Sequence, residues 1–343
     1  MNWTVLKRLL TCLFSVIFLL TGSGGAHAGE PVPIKIRLDW GPWGSHAAFY
    51  LAQQKGWYKR AGLDVEIVDG TGSVSTVQIL GSSGQFDLGY AATSAIMIGK
   101  EKGLPVKIVA EFFRRNDEGL IVAEDAKIKK VSDLRGKTVA YTAGAMEAPF
   151  VDTFLKAGGL TRADVTLVSV DAASKLNMYA FARADAAFAS VPALMPLVAN
   201  KRASRPLLFS DNGLPMPSFC VFGSEDAMDK KRDAIAQFVS ITSGAWNYIA
   251  RGHAAEAADA MIAQRPQARL DKAYLTASIA ELIPYRGAPA SSTQPLGTPI
   301  DADFADAIKT LSSVGLLKSD HPPSQFYAEG FVRPTVVKAI GDQ

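Results

Sequence analysis

Residues 39–46 bring an acid, two tryptophans and a histidine into one short stretch. The stretch reads DWGPWGSH and contains Asp39, Trp40, Trp43 and His46. The two indoles can stack on a flat ring, where each aromatic pair contributes roughly 0.5–1.5 kcal/mol beyond simple burial. The carboxylate can accept hydrogen bonds from a ring amine, and the imidazole can donate or accept one. These residue types predict a site for a small aromatic or heterocyclic molecule, unless the tryptophans only fill a strand-helix junction and the acid only forms a turn.

The elements that would position this stretch alternate between strands and helices. Ser45 is a candidate cap for the first helix, which places His46 at the edge of the site. The order predicts a mostly parallel sheet covered by helices, with ligands bound at the carboxyl ends of the strands. The expected strands are residues 34–38, 63–68 and 88–91, and the expected helices are residues 45–56, residues 73–81 and a helix opening at residue 93 or 94.

The same plan returns in the second half of the chain. Residues 137–168 again give a strand, a glycine-bearing loop, a helix, a Gly-Leu turn and an Asp-Val strand. DAAFAS at residues 185–190 then matches DLGYAATS at residues 87–94. The repeat predicts the α/β class with two similar lobes facing each other across a cleft. It also makes Tyr90 and Phe188 equivalent, so we expect them to face the cleft, unless one or both belong to the core.

Two extended passages predict where the chain crosses between the lobes. We expect lobe I to contain residues 29–113 and 223–343, and lobe II to contain residues 114–222. Two crossings of this kind form the hinge of a domain-closing protein. The charged turn that follows the first passage is expected to be exposed, and its Arg114 and Arg115 are weaker candidates for neutralising an acidic ligand.

Hydroxyl groups and one acid lie where helices are predicted to begin. Thr93 and Ser94 occupy this place in the first lobe, and Thr142, Gly144 and Glu147 of the sequence TAGAME occupy it in the second. Free amides and the helix dipole at such starts favour an anion or a carbonyl oxygen. Helix capping explains the hydroxyl groups equally well without any ligand.

The N-terminal residues 1–28 are typical of a cleaved signal peptide. Lys7 and Arg8 precede an apolar run over residues 9–20, and Ala-His-Ala follows at residues 26–28. The run is shorter than the approximately 20 apolar residues that a membrane-spanning helix needs. We therefore expect export to the periplasm as a mature chain beginning near Gly29.

Other chemistries find little support in the sequence. Without residues 1–28 the formal charge falls from +3 to +1, which gives no general attraction for nucleic acid or membrane. Cys220 would be the remaining cysteine, so no internal disulfide is expected. His46, His253 and His321 are too scattered for a metal site. No phosphate-binding or dinucleotide-binding glycine motif follows a strand. We expect neither a metal nor a cofactor.

Three stretches together resemble a known family. They are LDWGPWGSHAAFYLAQQKGWYKRAGLDVEI, GQFDLGYAATS and VSDLRGKTVAYTAGAMEAPFVDTFLKAGGL, and the similarity covers most of residues 34–198. They resemble the periplasmic solute-binding proteins of ABC importers, in the group that binds sulfonates, nitrate and thiamine-precursor pyrimidines, and the first stretch most resembles the pyrimidine-binding branch. The resemblance implies a type II two-lobed binding fold, which acts as a monomer, closes on a small molecule and delivers it to an ABC permease in the inner membrane.

The family's enzymatic relatives, the eukaryotic pyrimidine synthases, supply the rival hypothesis. In those relatives a histidine matching His46 is consumed in making the pyrimidine. They also carry a cysteine-rich segment tied to iron, whereas MPSFCVFGSED here has only Cys220. The lysine that would bind pyridoxal phosphate is expected near the loop, and the nearest one is Lys55. We therefore predict binding without catalysis.

The sequence also departs from the pyrimidine binders at one point. That branch places an aromatic residue and a carboxylate after the second lobe's last repeat strand, and this chain has Ser190-Val191-Pro192-Ala193. Ser190 is therefore a candidate ligand contact, and a carboxylate partner for an aminopyrimidine is missing there. Alkanesulfonate, nitrate and aromatic carboxylates remain alternative ligands, and a sensory binding protein would share the same fold.

Overall fold

Two five-stranded sheets form the framework of the computed structural model, which describes residues 30–143, 145–287, 294–318 and 320–343. The predicted signal peptide, residues 1–28, lies outside the described residues. The strands are β1 (Val32–Arg37), β2 (Leu63–Val68), β3 (Leu88–Ala92), β4 (Val106–Glu111), β5 (Glu118–Ala123), β6 (Thr138–Tyr141), β7 (Thr166–Ser169), β8 (Ala186–Ser190), β9 (Ser204–Leu208) and β10 (Phe219–Ser224).

Helices flank both sheets and make up most of the chain after β10. None of the helices in the described segments is both long and apolar enough to cross a bilayer. The helices are α1 (Ala47–Gln54), α2 (Trp57–Arg60), α3 (Ser73–Ser83), α4 (Thr93–Glu101), α5 (Val151–Ala157), α6 (Ala172–Ala180), α7 (Val191–Val198), α8 (Glu225–Lys230), α9 (Arg232–Tyr248), α10 (Ala254–Gln264), α11 (Lys272–Leu282), α12 (Asp301–Ser313) and α13 (Pro334–Gly341).

The two sheets have the same strand plan. The first runs β2-β1-β3-β10-β4 and the second β7-β6-β8-β5-β9. In the first sheet β1 pairs in parallel with β2 and β3, whereas β10 is antiparallel to β3 and β4. In the second, β6 pairs in parallel with β7 and β8, and β5 is antiparallel to β8 and β9. Four strands of each sheet therefore share one direction, which confirms the predicted α/β fold with two lobes of mainly parallel sheet.

The reversed strand of each sheet is the strand that arrives from the other lobe. The chain passes from β4 in the first sheet to β5 in the second through residues 112–117, and returns from β9 to β10 through residues 209–218. We call these two segments the crossings. Residues 219–222, which we assigned to lobe II, belong to the first sheet because β10 is hydrogen-bonded to β3 and β4.

Two local expectations were wrong. Ser45 does not cap a helix, because a single 3-10 turn at Gly44–His46 precedes α1 and the Ser45 hydroxyl is buried without a hydrogen-bond partner among the described residues. The charged turn after β4 is not fully exposed: Asn116 and Asp117 are 5% and 1% exposed, because the first crossing passes between the two sheets.

Gly119 gives a test of the second sheet. A Cβ at this position in β5 would lie 2.5 Å from the carbonyl oxygen of Leu207 and 2.9 Å from the Cα of Leu208. Gly119→Ala should therefore push β5 away from β9 and reduce the free energy of unfolding by about 1–3 kcal/mol, as overpacking does. Urea unfolding followed by circular dichroism measures the change.

Gly41→Ala is the matched control. A Cβ at residue 41 would have no atom within 4 Å, and the residue does not have a positive φ. This variant should stay within about 1 kcal/mol of the wild type, since only the entropy of the unfolded chain changes. Equal stabilities for the two variants would contradict the close approach of β5 and β9.

Candidate functional site

The loop after β1 is fixed in place by the turn that follows β2. The Gly72 amide donates to the carbonyl of Asp39 at 2.6 Å, and the Thr76 hydroxyl donates to the carbonyl of Leu38 at 2.8 Å. Gly70 lies so close to β1 that a Cβ there would be 1.9 Å from the Leu38 carbonyl oxygen, so only glycine fits. The sequence thus builds a rigid support for residues 39–46 at the carboxyl end of β1.

His46 and Asp39 form a buried pair inside this loop. The Nε2 atom of His46 lies 2.6 Å from Oδ1 of Asp39, and the imidazole is fully buried. The backbone amide of Trp43 donates to Nδ1 at 3.4 Å. Because Nδ1 accepts this bond, the ring proton sits on Nε2 and is donated to the carboxylate. Both nitrogens of His46 are therefore used within the loop.

Four rings pack together beside this pair. Trp43, His46, Tyr90 and Phe219 make edge or stacked contacts with centroid distances of 5.5–5.8 Å. Contacts of this kind favour a fixed arrangement over a mobile one. Trp40 is separate from this cluster and is 59% exposed. The structure thus brings together Asp39, Trp43, His46 and Tyr90 from the predicted site residues, and leaves Trp40 at the surface.

The two crossings enclose a small acidic cavity of about 30 Å³, which we call the junction cavity. Asp117 lies at its centre and accepts hydrogen bonds from Ser190 Oγ, at 2.5 Å, and from Ser218 Oγ. The walls come from both lobes and both crossings. They are Ala92, Ser94, Asn116, Asp117, Glu118, Met146, Phe150, Phe209, Met216, Pro217, Ser218 and Phe219.

The acids of the junction cavity hold their protons more tightly than exposed acids. Burial raises the pKa of Asp117, and the hydrogen bonds from Ser190 and Ser218 oppose that shift only in part. Burial also raises the pKa of Glu118 well above its usual range, and the negative charges of Asp117 and Glu147 act in the same direction. Oε2 of Glu118 is buried without a hydrogen-bond partner among the described residues. Such a cavity favours a group that donates hydrogen bonds or carries positive charge.

Glu147, predicted to meet a ligand or a helix dipole, is already paired. Its Oε1 accepts a 2.5 Å hydrogen bond from Lys175 Nζ, and both side chains are largely buried. The backbone amide of Thr142 also donates to this oxygen at 3.2 Å, while the Thr142 hydroxyl is buried without a partner in the described part of the chain. The predicted contact Gly144 lies outside the described residues.

Two predicted contacts point away from the cleft. Phe188 is fully buried and packs against Phe154 of α5 and Phe209, at centroid distances of 5.6 and 5.7 Å, so it belongs to the core of the second lobe and does not face Tyr90. Thr93 is also fully buried, with Oγ1 3.1 Å from Sγ of Cys220 in β10. Ser94, the next residue, does line the junction cavity.

Sequence reasoning missed the residues that the crossings supply. Asp117 and Glu118 stand in the run RRNDEG, whose density of charge is typical of an exposed turn. Phe219 directly precedes Cys220, and the sequence alone gives no reason to single it out. The feature of the sequence that could have identified these residues is their position at the ends of the extended passages that join the two halves of the chain. Among the described residues, no three metal-binding side chains come together in a ligating arrangement.

Comparisons with known proteins identify relatives of this chain. Residues 43–256 match the family described as NMT1/THI5 like. A formylaminopyrimidine-binding protein of Halalkalibacterium halodurans is 26% identical over 165 residues, which is 48% of this chain and 50% of the relative. A 4-amino-5-hydroxymethyl-2-methylpyrimidine phosphate synthase of Saccharomyces cerevisiae is 30% identical over 136 residues, 39% of each chain. The chain thus spans half or less of the length of these curated relatives.

A solved structure shows the same fold over nearly the whole chain. The periplasmic aliphatic sulphonate binding protein SsuA from Escherichia coli superposes with a TM-score of 0.64 at 16% identity, covering 88% of this chain and 94% of that one. At this identity the likeness shows the fold alone.

The raised pKa of Glu118 predicts a specific pH dependence of stability. A carboxyl whose pKa is higher in the folded protein lowers the free energy of unfolding as pH rises from its unfolded pKa, about 4.3, towards the folded value. Glutamine has no proton to lose, so Glu118→Gln should become more stable relative to the wild type as pH rises from about 4 to about 8. Urea unfolding across this range measures the difference.

The exposed Glu124 provides the control for this pH series. Glu124→Gln is the same substitution at the exposed residue that directly follows β5, outside the junction cavity. If the Glu118→Gln and wild-type curves run parallel across the whole range, Glu118 is not the buried acid that the geometry indicates.

Proposed function

Because the chain belongs to the NMT1/THI5-like family, we propose that it is the substrate-binding component of an ABC import system. The observation that carries this proposal is the junction cavity, whose walls come from both lobes and from both crossings. A ligand held there contacts both lobes at once only when they are closed. Its higher affinity for the closed form shifts the population towards closure, as a delivery protein requires.

We propose that the solute carries an amino group on a flat ring, as a thiamine-precursor pyrimidine does. The carboxyls of Asp117 and Glu118 supply hydrogen-bond acceptors for an amine, and hydrogen bonds to charged groups are the stronger kind. Phe219 adds an aromatic wall to the same cavity. The name of the Halalkalibacterium relative, a formylaminopyrimidine-binding protein, points to the same class of solute. Sulfonate or nitrate, which offer only acceptor oxygens and negative charge, would find no cation and no matching charge at these acids.

Two residues support binding over synthesis of a pyrimidine. Both ring nitrogens of His46 are engaged by Asp39 and Trp43, which leaves the imidazole as a structural element of the loop. Cys220 is buried against Thr93, and burial raises the pKa of its thiol well above the usual range, which favours the unreactive protonated form. The proposed protein captures its solute without changing it.

The proposed setting is the periplasm, with residues 1–28 as the export signal. There the protein acts as a monomer that delivers its solute to an ABC permease in the inner membrane. The crossings, residues 112–117 and 209–218, are the proposed hinge. Lobe I would then comprise the chain before residue 112 and after residue 218, and lobe II the residues between the crossings.

A binding screen tests the proposed solute class. Titration calorimetry and thermal shift with 4-amino-5-hydroxymethyl-2-methylpyrimidine, its formylamino analogue, methanesulfonate, nitrate and benzoate should give a response to the pyrimidines. A ligand at a hundredfold excess over its dissociation constant raises the free energy of unfolding by about 2.7 kcal/mol. A response to the anions alone would reject the amino-bearing solute.

Asp117→Asn tests the role of the junction cavity in that binding. Asparagine keeps the shape and can still pair with Ser190 and Ser218, but it loses the charged acceptor. Losing a hydrogen bond to a charged group costs about 1.5–3 kcal/mol, so the dissociation constant should rise by at least tenfold. Asp226→Asn, on the exposed start of α8, is the control and should bind as the wild type does. Unchanged affinity in Asp117→Asn would place the solute elsewhere.

A further inference from the structure

A second and larger cavity adjoins the junction cavity. It has a volume of about 300 Å³, at the lower end of the range for small-molecule pockets. The first lobe lines it with Val77, Ile98 and Leu104, and the second lobe with Pro149 and Phe150. We call it the apolar cavity. Like the junction cavity, it is built from both lobes.

The two cavities share a wall. Ser94, Met146 and Phe150 line both of them. Methionine is the most adaptable apolar side chain, with three rotatable bonds, so Met146 can move aside at low cost. A single ligand can therefore occupy both cavities when Met146 changes rotamer.

The sizes of the cavities determine which part of a ligand each can hold. A single water needs roughly 10–15 Å³ of such space, so a volume of about 30 Å³ gives the junction cavity room for an amino or ammonium group and not for a ring. The ring of an amino-bearing solute must then lie outside it. The adjoining space is the apolar cavity, whose lining is mostly aliphatic and aromatic, with polar side chains at Gln78, Ser94 and Lys102.

We propose that the apolar cavity is a ligand subsite, which holds the apolar body of a solute whose amino group reaches Asp117 and Glu118 past Met146. Within the proposed class of amino-bearing solutes, this subsite favours those that carry an apolar arm or ring substituent. Gln78 and Lys102, both exposed, form the polar rim where the far end of the solute meets water. This inference rests on the proposed capture of an amino-bearing solute.

The test uses two series of probes that differ only in apolar length. The first is 4-amino-2-methylpyrimidine with hydrogen, ethyl or butyl at C5, and the second is the primary alkylammonium ions from ethyl to hexyl. Burying one methylene contributes about 0.8 kcal/mol, so affinity should rise up to about fourfold with each methylene until the cavity is full. Titration calorimetry at fixed pH and salt measures the dissociation constants.

A blocking variant separates this cavity from the rest of the site. Ala145 lines the apolar cavity, and Ala145→Trp should fill it and abolish the gain from longer arms, while the shortest probe keeps its affinity within about threefold. The control is Ala143→Trp, the same substitution at an exposed residue two positions earlier that does not line the cavity. It should retain the full dependence on arm length.

The two series distinguish failure of this inference from failure of the proposed function. The unsubstituted pyrimidine could bind while longer arms leave the affinity unchanged or lower it. That result would overturn the subsite and leave the proposed solute class intact. A gain with length among the alkylammonium ions without any pyrimidine binding would support the subsite and reject the pyrimidine. Absence of a gain in both series, or a gain that persists in Ala145→Trp, overturns the inference.

Discussion

Each sheet is completed by a strand that enters from the other lobe, and the site depends on this exchange. β5 and β10 are the only reversed strands of the two sheets in the described chain, and each begins directly after a crossing. Glu118 is the first residue of β5, and Phe219 is the first residue of β10. The hydrogen bonds that anchor these strands therefore also fix the first residues of the junction cavity. A change in the angle between the lobes would therefore move residues of the crossings that also line the junction cavity.

Burial of acids at this place has an energetic consequence. Asp117 has two serine partners, but Glu118 has a buried oxygen without a partner in the described residues, and Lys175, whose charge acts on Glu118, is engaged by Glu147. An acid buried without compensation lowers the stability of the free protein. An amino group in the cavity would remove this penalty in the closed form alone. In this account the closed form loses the electrostatic penalty of its buried acids when the solute binds, and this gain favours closure on the solute.

The sequence predicted those parts of the molecule that are governed by local pattern. Strand β2 begins and ends at the expected residues, β3 differs by one residue, and the repeat of DLGYAATS in DAAFAS correctly indicated two equivalent sheets. Four of the predicted site residues, Asp39, Trp43, His46 and Tyr90, lie together. Local pattern could not show that β8 directs Phe188 into the core, because both faces of a strand of small residues look alike in sequence. It also could not show that Asn116 and Asp117, within a run of charged and polar residues, are buried, since that depends on two crossings meeting in space.

A crystal structure of the complex with 4-amino-5-hydroxymethyl-2-methylpyrimidine tests the central claim most directly. The account predicts the exocyclic amino nitrogen at hydrogen-bonding distance, about 2.7–3.2 Å, from a carboxyl oxygen of Asp117 or Glu118. It also predicts that the ring lies next to Met146 and that both lobes contact the ligand. A ring stacked between Trp40 and Trp43, with its amino group on Asp39 and the junction cavity unchanged, would contradict it.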